Sequence, residues 1–158
     1  MSLFYTLLLC WLALCSLIDI RTRKIPNWLI APVFLYSIFY LVMHQHSLLG
    51  YHWLDSIIAL LLALLLTIPG YAKNQFGAGD VKLLMSLALA SSTLTILYTI
   101  AGTALSLIVW TISQTLLKQR QANITSTALQ KTILKNDSKL PYAPFVFLGF
   151  LASLLFLK

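Results

Sequence analysis

The chain has no glutamate. Its four acids are Asp19, Asp55, Asp80 and Asp137, in a sequence that is 59% hydrophobic and 9% charged. A carboxylate held in hydrocarbon costs about 3 kcal/mol or more unless it is paired or wet, so each acid here needs its own account. Asp19 closes the apolar run Leu3–Ile18, and Asp80 opens another within Phe76-Gly77-Ala78-Gly79-Asp80-Val81-Lys82. Two carboxyls about 3 Å apart cannot both ionise and share one proton at intermediate pH. Such a pair can hydrolyse a peptide bond without a metal or a nucleophilic side chain. The ionised member takes a proton from water, and the protonated member donates to the carbonyl oxygen. The pair titrates as a unit, so residue type does not say which aspartate does which. Simpler roles stand beside this one. Asp19 can be a helix-end charge paired with Arg21 or Arg23, and Asp80 a helix cap or a partner of Lys82. Asp55, beside Trp53, reads as a solvated or capping acid, and Asp137 as a solvated acid in a basic loop.

Gly77 and Gly79 flank one residue just before Asp80. Glycines there permit backbone angles and close approaches that side chains forbid. A protease must lay an extended substrate beside its catalytic acid, and a bare segment can pair with it. Gly77 and Gly79 are therefore the candidate substrate-binding residues, with a flexible turn as the plain alternative. His44, His46 and His52 read as interfacial histidines, since no Cys, Asp or Glu completes a metal set. Cys10 and Cys15, both in the first apolar run, read as buried reduced thiols. Trp28, Trp53, Tyr51, Tyr71 and Tyr142 fit an interfacial aromatic belt. No Ser-His-Asp set, His-Glu-x-x-His helix or P-loop is present, and neither metal nor cofactor is expected.

The elements that must position these residues are apolar helices. A soluble domain carries roughly 25% charged residues, far above this chain's share. Disorder, a nucleic-acid-binding arm and a disulfide scaffold are excluded on the same composition. A spanning helix needs about 20 apolar residues. Leu3–Ile18, Trp28–Met43 and Trp53–Tyr71 are such runs. Val81–Leu117 as one helix would be about 55 Å long, nearly twice the hydrocarbon thickness, and must fold back at Ser91-Ser92-Thr93. That predicts a short fourth helix from near Asp80, a fifth over Thr95–Leu117, and a sixth over Pro141–Leu157. The fold class is all-α, a polytopic membrane bundle of about six transmembrane helices in one domain over residues 1–158.

Ten of the eleven Lys and Arg fall in or beside the loops after spans one, three and five, and none in the loops after spans two and four. The positive-inside rule puts those three loops in the cytoplasm and both termini outside. Asp19 and Asp80 then lie at one depth, at the cytoplasmic ends of helices one and four. No Lys or Arg precedes Arg21, so the first span lacks the basic start of a secretory signal and is expected to be retained. Gln119–Lys139 can form an amphipathic helix on anionic lipid through Ile124, Ala128, Leu129 and Ile133, or a solvated loop.

Three motifs in order, Asp19-Ile-Arg-Thr-Arg-Lys-Ile25-Pro26-Asn27, Gly77-Ala-Gly79-Asp80-Val-Lys82-Leu and Leu140-Pro141-Tyr142-Ala-Pro144-Phe145, resemble the type IV prepilin leader peptidases. These are Gly-x-Gly-Asp aspartic proteases of the membrane. The resemblance covers essentially the whole chain. It implies that Asp19 and Asp80 are the catalytic pair. It also implies that the partners are prepilins or pseudopilins, whose short basic leader is cut at the cytoplasmic face of the inner membrane. Ile25-Pro26-Asn27 and Pro141–Phe145 look like the family's structural elements. The larger members carry an N-terminal region with paired cysteines and methylate the product. This chain starts at span one, so no methyltransferase region is expected, and it is similar to the short type serving tight-adherence (Flp) pili. A non-catalytic membrane protein, such as a small transporter or assembly scaffold, is the rival from another class. An archaeal preflagellin peptidase is the rival with the same pair.

Overall fold

The computed structural model describes residues 3–72, 77–122 and 141–156. Within them the chain forms six helices: α1 (Leu3–Thr22), α2 (Asn27–His44), α3 (Trp53–Ala72), α4 (Ala78–Ala90), α5 (Thr93–Ala122) and α6 (Ala143–Phe156). The fold is a helical membrane bundle, as the composition predicts. The long apolar stretch breaks at Ser91-Ser92, where predicted. The stop is local: the Ser91 hydroxyl donates to Leu87 O at 2.7 Å, and Ser92 and Thr95 share a hydroxyl contact of 2.9 Å that opens α5.

Four helices, α1, α2, α3 and the Thr93–Leu117 part of α5, are long and apolar enough to cross a membrane. The other two are shorter than the expected spans. α4 has 13 residues and α6 has 14, about 20 Å each at 1.5 Å per residue. Their length suits their place. From Leu83 to Ala90, α4 is almost wholly buried, packed between α2 and α3, while α6 lies against α5 and α1. The long helices keep Leu, Ile and Phe on their outer faces, where lipid replaces water as the solvent. Small and hydroxylated residues share the interior with buried Leu12, Leu83, Leu87 and Phe150. Ser37, Thr67, Ser86, Thr99 and Thr103 each donate to the carbonyl four residues back. Among the described residues no buried side-chain nitrogen or oxygen lacks a partner.

Contacts between helix ends define two poles. At one, Tyr5 meets Tyr51 at 3.4 Å between hydroxyls, Leu49 N–H donates to Ala90 O at 3.2 Å, and the Thr93 hydroxyl donates to Asp55 Oδ1 at 2.7 Å. This pole gathers the start of α1, the α2–α3 connection, the end of α4 and the start of α5. The opposite pole therefore holds the end of α1 and the starts of α2, α4 and α6, and with them Asp19 and Asp80. The interfacial helix expected over Gln119–Lys139, together with Lys73 and Asp137, lies outside the described residues or their described side chains.

Candidate active site

Asp19 sits in the last turn of α1. The helix ends because Arg23 adopts the left-handed conformation, φ 52°, and returns its N–H to Asp19 O at 2.8 Å. A left-handed cap of this kind satisfies a carbonyl that the helix leaves open. A non-glycine residue there costs about 1 kcal/mol. The Thr22 hydroxyl bridges Ile18 O and Lys24 O at 2.9 and 2.8 Å and braces the reversal. The side chain of Asp19 is only 4% exposed, and its Oδ2 accepts the Ala143 N–H at 2.9 Å. Ala143 is the first residue of α6, where backbone N–H groups have no helical partner. A buried carboxylate and an open N–H thus satisfy each other across 124 residues, at the positive end of a helix dipole.

Asp80 is half-buried in the first turn of α4. Its Oδ2 accepts the Gly77 N–H at 2.9 Å, which is one half of a capping box. Gly77 has no side chain to return the other half. The capping role foreseen for Asp80 is therefore present in the structure. Of the two properties expected of the glycines, unusual backbone angles and close approach, the structure shows the second. Gly77 is ordinary extended backbone, φ −78° and ψ 154°, and Gly79 lies in the helix. Neither uses the left-handed region. What they supply is room. A Cβ on residue 77 would lie 3.2 Å from Asp80 Oδ2, and one on residue 79 would lie 3.4 Å from Ile25 Cβ and 3.5 Å from Ile25 O. The start of α4 is thereby pressed against the Ile25-Pro26 segment that leads into α2.

The start of α6 meets Asp19: Ala143 holds its carboxylate, and the residue before it, Tyr142, is buried. The sequence had put Tyr142 in the interfacial belt. The structure moves it inside, because Pro141 and the start of α6 tuck against α1 rather than against the surface. Phe145, one turn further, packs edge-on against Trp110 of α5 at 6.0 Å and holds the turn from the other side. Lys82 is exposed and donates to Asn27 Oδ1 at 3.1 Å. The two cap a cavity of about 470 Å³ between α2 and α4, floored by Ile30, Ala31, Phe34 and Met85.

The remaining candidates lie at the far pole. Asp55 is half-buried and receives the Thr93 hydroxyl on both its carboxylate and its carbonyl, so it ties α3 to α5 instead of standing in solvent. His46 and His52 face each other across an isolated antiparallel bridge, with rings 6.2 Å apart, while His44 stacks on Tyr40 at 4.2 Å. Among the described residues no three of His, Cys, Asp and Glu gather as a metal set. Cys15 is buried, but Cys10 is exposed on the outer face of α1, contrary to the expectation that both are buried; neither forms a disulfide.

Two features beside the acids escaped sequence reasoning: the Ala143 N–H bond to Asp19 and the burial of Tyr142. A backbone donor leaves no trace in a sequence. For Tyr142 the available signal was Pro141-Tyr142-Ala143-Pro144, two prolines framing a helix start within reach of an acid. Compared with known proteins, residues 6–112 of the chain match the model of the type IV leader peptidase family. No curated protein and no solved structure matches.

Proposed function

Because the chain belongs to the type IV leader peptidase family, we propose that it is an aspartic endopeptidase that removes the short basic leader from type IV or Flp-type prepilins and pseudopilins, with Asp19 and Asp80 as its catalytic pair. The observation that carries this reading is that both carboxyls lie at one pole of the bundle, Asp19 on the start of α6 and Asp80 on the start of α4. Each acid also faces the N-terminus of a helix, Asp19 that of α6 and Asp80 that of α4. Helix N-termini favour negative charge, which suits a pair that carries one net charge beside hydrocarbon.

The reaction needs only the pair and a water. The ionised carboxylate takes a proton from water as the oxygen adds to the scissile carbonyl carbon. The protonated carboxyl gives its proton to the carbonyl oxygen, forming a neutral tetrahedral diol. As the C–N bond breaks, one diol hydroxyl gives up its proton to the pair and the leaving nitrogen receives one from it. The products are a leader carboxyl and a new N-terminal amine, and the pair ends as it began. Gly77, extended and without a side chain, is read as the edge past which the scissile segment runs. Gly79 lets that edge sit close to Ile25. The substrate is held mainly by its apolar helix against the spans, since the enzyme's own basic loops repel a basic leader. The protein is placed in the inner membrane with this pole at the cytoplasmic face, on the distribution of Lys and Arg.

The test is co-expression with candidate prepilins, read as a mobility shift on loss of the leader. The wild-type chain should cleave, and Asp19→Asn or Asp80→Asn should abolish cleavage. Substantial cleavage by either variant would end the aspartic mechanism.

A further inference from the structure

The cavity between α2 and α4 has its polar and apolar parts sorted by depth. Asn27 is the first residue of α2, and that helix, at 18 residues, is about 27 Å long and long enough to cross the hydrocarbon. Asn27 therefore marks the membrane boundary at the acid pole, and the Lys82 ammonium, 3.1 Å from Asn27 Oδ1, lies at the same depth. Among the described residues every other part of the lining is apolar. Ile30, Ala31 and Phe34 follow Asn27 along one stripe of α2, and Met85 follows Lys82 one turn along α4. From Asn27 to Phe34 the cavity descends about 10 Å into the hydrocarbon. Ala31 is exposed, and Phe34 and Met85 are half-buried, so its side is open to lipid.

We propose that this cavity is a binding site for an anionic phospholipid, with the headgroup phosphate on Lys82 and the start of one acyl chain along Ile30, Ala31, Phe34 and Met85. The ammonium has three donors and Asn27 takes one, so a phosphate binds without breaking the link between α2 and α4. Charge selects the headgroup. Arg21, Arg23 and Lys24 are exposed at the end of α1, at the same pole, and add to the attraction for an anionic surface. The carboxylates there are turned to backbone donors, Asp19 to the Ala143 N–H and Asp80 to the Gly77 N–H. Volume selects the chain. A helix 10 Å across fills roughly 800 Å³ over a length of about 10 Å, well above the 470 Å³ between α2 and α4, whereas a single extended hydrocarbon chain is far thinner. Bound lipid braces the crossing at which Gly79 meets Ile25, because Lys82 lies one turn beyond Gly79 and Asn27 shortly beyond Ile25. The site does not depend on the reading of Asp19 and Asp80 as a catalytic pair.

The test uses the full chain, delipidated in a neutral detergent, with dioleoylphosphatidylglycerol, dioleoylphosphatidylcholine and glycerol phosphate as probes. At about ten times its half-saturating level, phosphatidylglycerol should raise the melting temperature by about 3–6 °C. Phosphatidylcholine, neutral overall, and glycerol phosphate, which has no chain, should raise it by less than about 1 °C. Lys82→Gln keeps a donor for Asn27 and removes the charge; it should need about tenfold more phosphatidylglycerol for the same rise. Ala31→Phe fills the floor and should abolish the rise. Lys24→Gln removes a cation of the same pole outside the cavity and should cost about threefold at most. An equal rise with phosphatidylcholine, or an equal loss in Lys24→Gln and Lys82→Gln, would mean that no charged site exists. An undiminished rise in Ala31→Phe would put the chain elsewhere, and an equal rise with glycerol phosphate would mean a site for phosphate alone. Each of these overturns the proposal. So does a rise produced by a peptide of a prepilin's apolar helix and lost in Ala31→Phe, with phosphatidylglycerol inert, because the cavity is then a substrate groove. If Lys82→Gln fails to accumulate, Ala31→Phe decides alone.

Discussion

At the residue scale, each acid that carries the proposed chemistry also serves the fold through one carboxylate oxygen. Asp19 Oδ2 receives the Ala143 N–H and Asp80 Oδ2 receives the Gly77 N–H. Asparagine keeps an acceptor oxygen in either place, so Asp19→Asn and Asp80→Asn should fold, melt near the wild-type temperature and yet fail to cleave. Because the two act as a unit, the double variant should be no worse than either single. Asp19→Ala should fail differently. It leaves a buried N–H unpaired, at a cost of about 1–3 kcal/mol, and should lower the melting temperature as well. Asp55→Asn retains an acceptor for Thr93 and lies at the far pole, so cleavage should persist. The pattern of apolar runs already singled out Asp19 and Asp80 as acids at helix ends. It could not show the partners, because a hydrogen bond to an N–H 124 residues away is made by tertiary packing alone.

Elements are held together here by small residues at crossings. Gly102 and Gly149 let α5 and α6 touch: a Cβ on residue 102 would lie 2.8 Å from Gly149 Cα. A Cβ on residue 149 would collide with Thr99 O and with the Thr103 hydroxyl and N–H. Gly149→Ala should therefore push α6 off α5 and destabilise the protein by about 1–3 kcal/mol, seen as a lower melting temperature in detergent. Since α6 begins at Ala143, whose N–H holds Asp19, cleavage should fall too, although residue 149 is almost two turns along the helix from Ala143. Gly79→Val tests the other crossing. A Cβ alone makes an ordinary contact with Ile25, but the branched methyls of valine have no room, and β-branching also stiffens the first turn of α4. Cleavage should drop sharply, whereas neutralising Lys131 and Lys135 should change it little. The reverse pattern would mean that recognition is electrostatic.

Across the whole molecule, the contacts that pair Tyr5 with Tyr51 and Leu49 with Ala90 set one pole, and Asp19 and Asp80 occupy the other. The Lys and Arg distribution is the basis for the proposal that the acid pole faces the cytoplasm. Reporter fusions after Gln119 should score as cytoplasmic and fusions within His44–His52 as exported. A cytoplasmic His44–His52 segment would put the acids on the wrong side for a leader that never leaves the cytoplasm.

Length, composition and the alternation of apolar runs with basic loops were enough to determine an all-helical bundle, the break at Ser91-Ser92 and the common pole of the two acids. These are properties of local sequence, because hydrocarbon forces every backbone group into a helix and charge sets the order of its ends. The close approaches at Gly77 and Gly79, the burial of Tyr142 and the shortness of α4 and α6 were decided only by the tertiary structure. Each depends on what a distant segment brings to the same place: Ile25 against Gly79, α1 and α5 against the start of α6, and α2 and α3 around α4. In a chain where nearly every residue is apolar, periodicity does not say which apolar face meets lipid and which meets protein, and packing alone makes that choice.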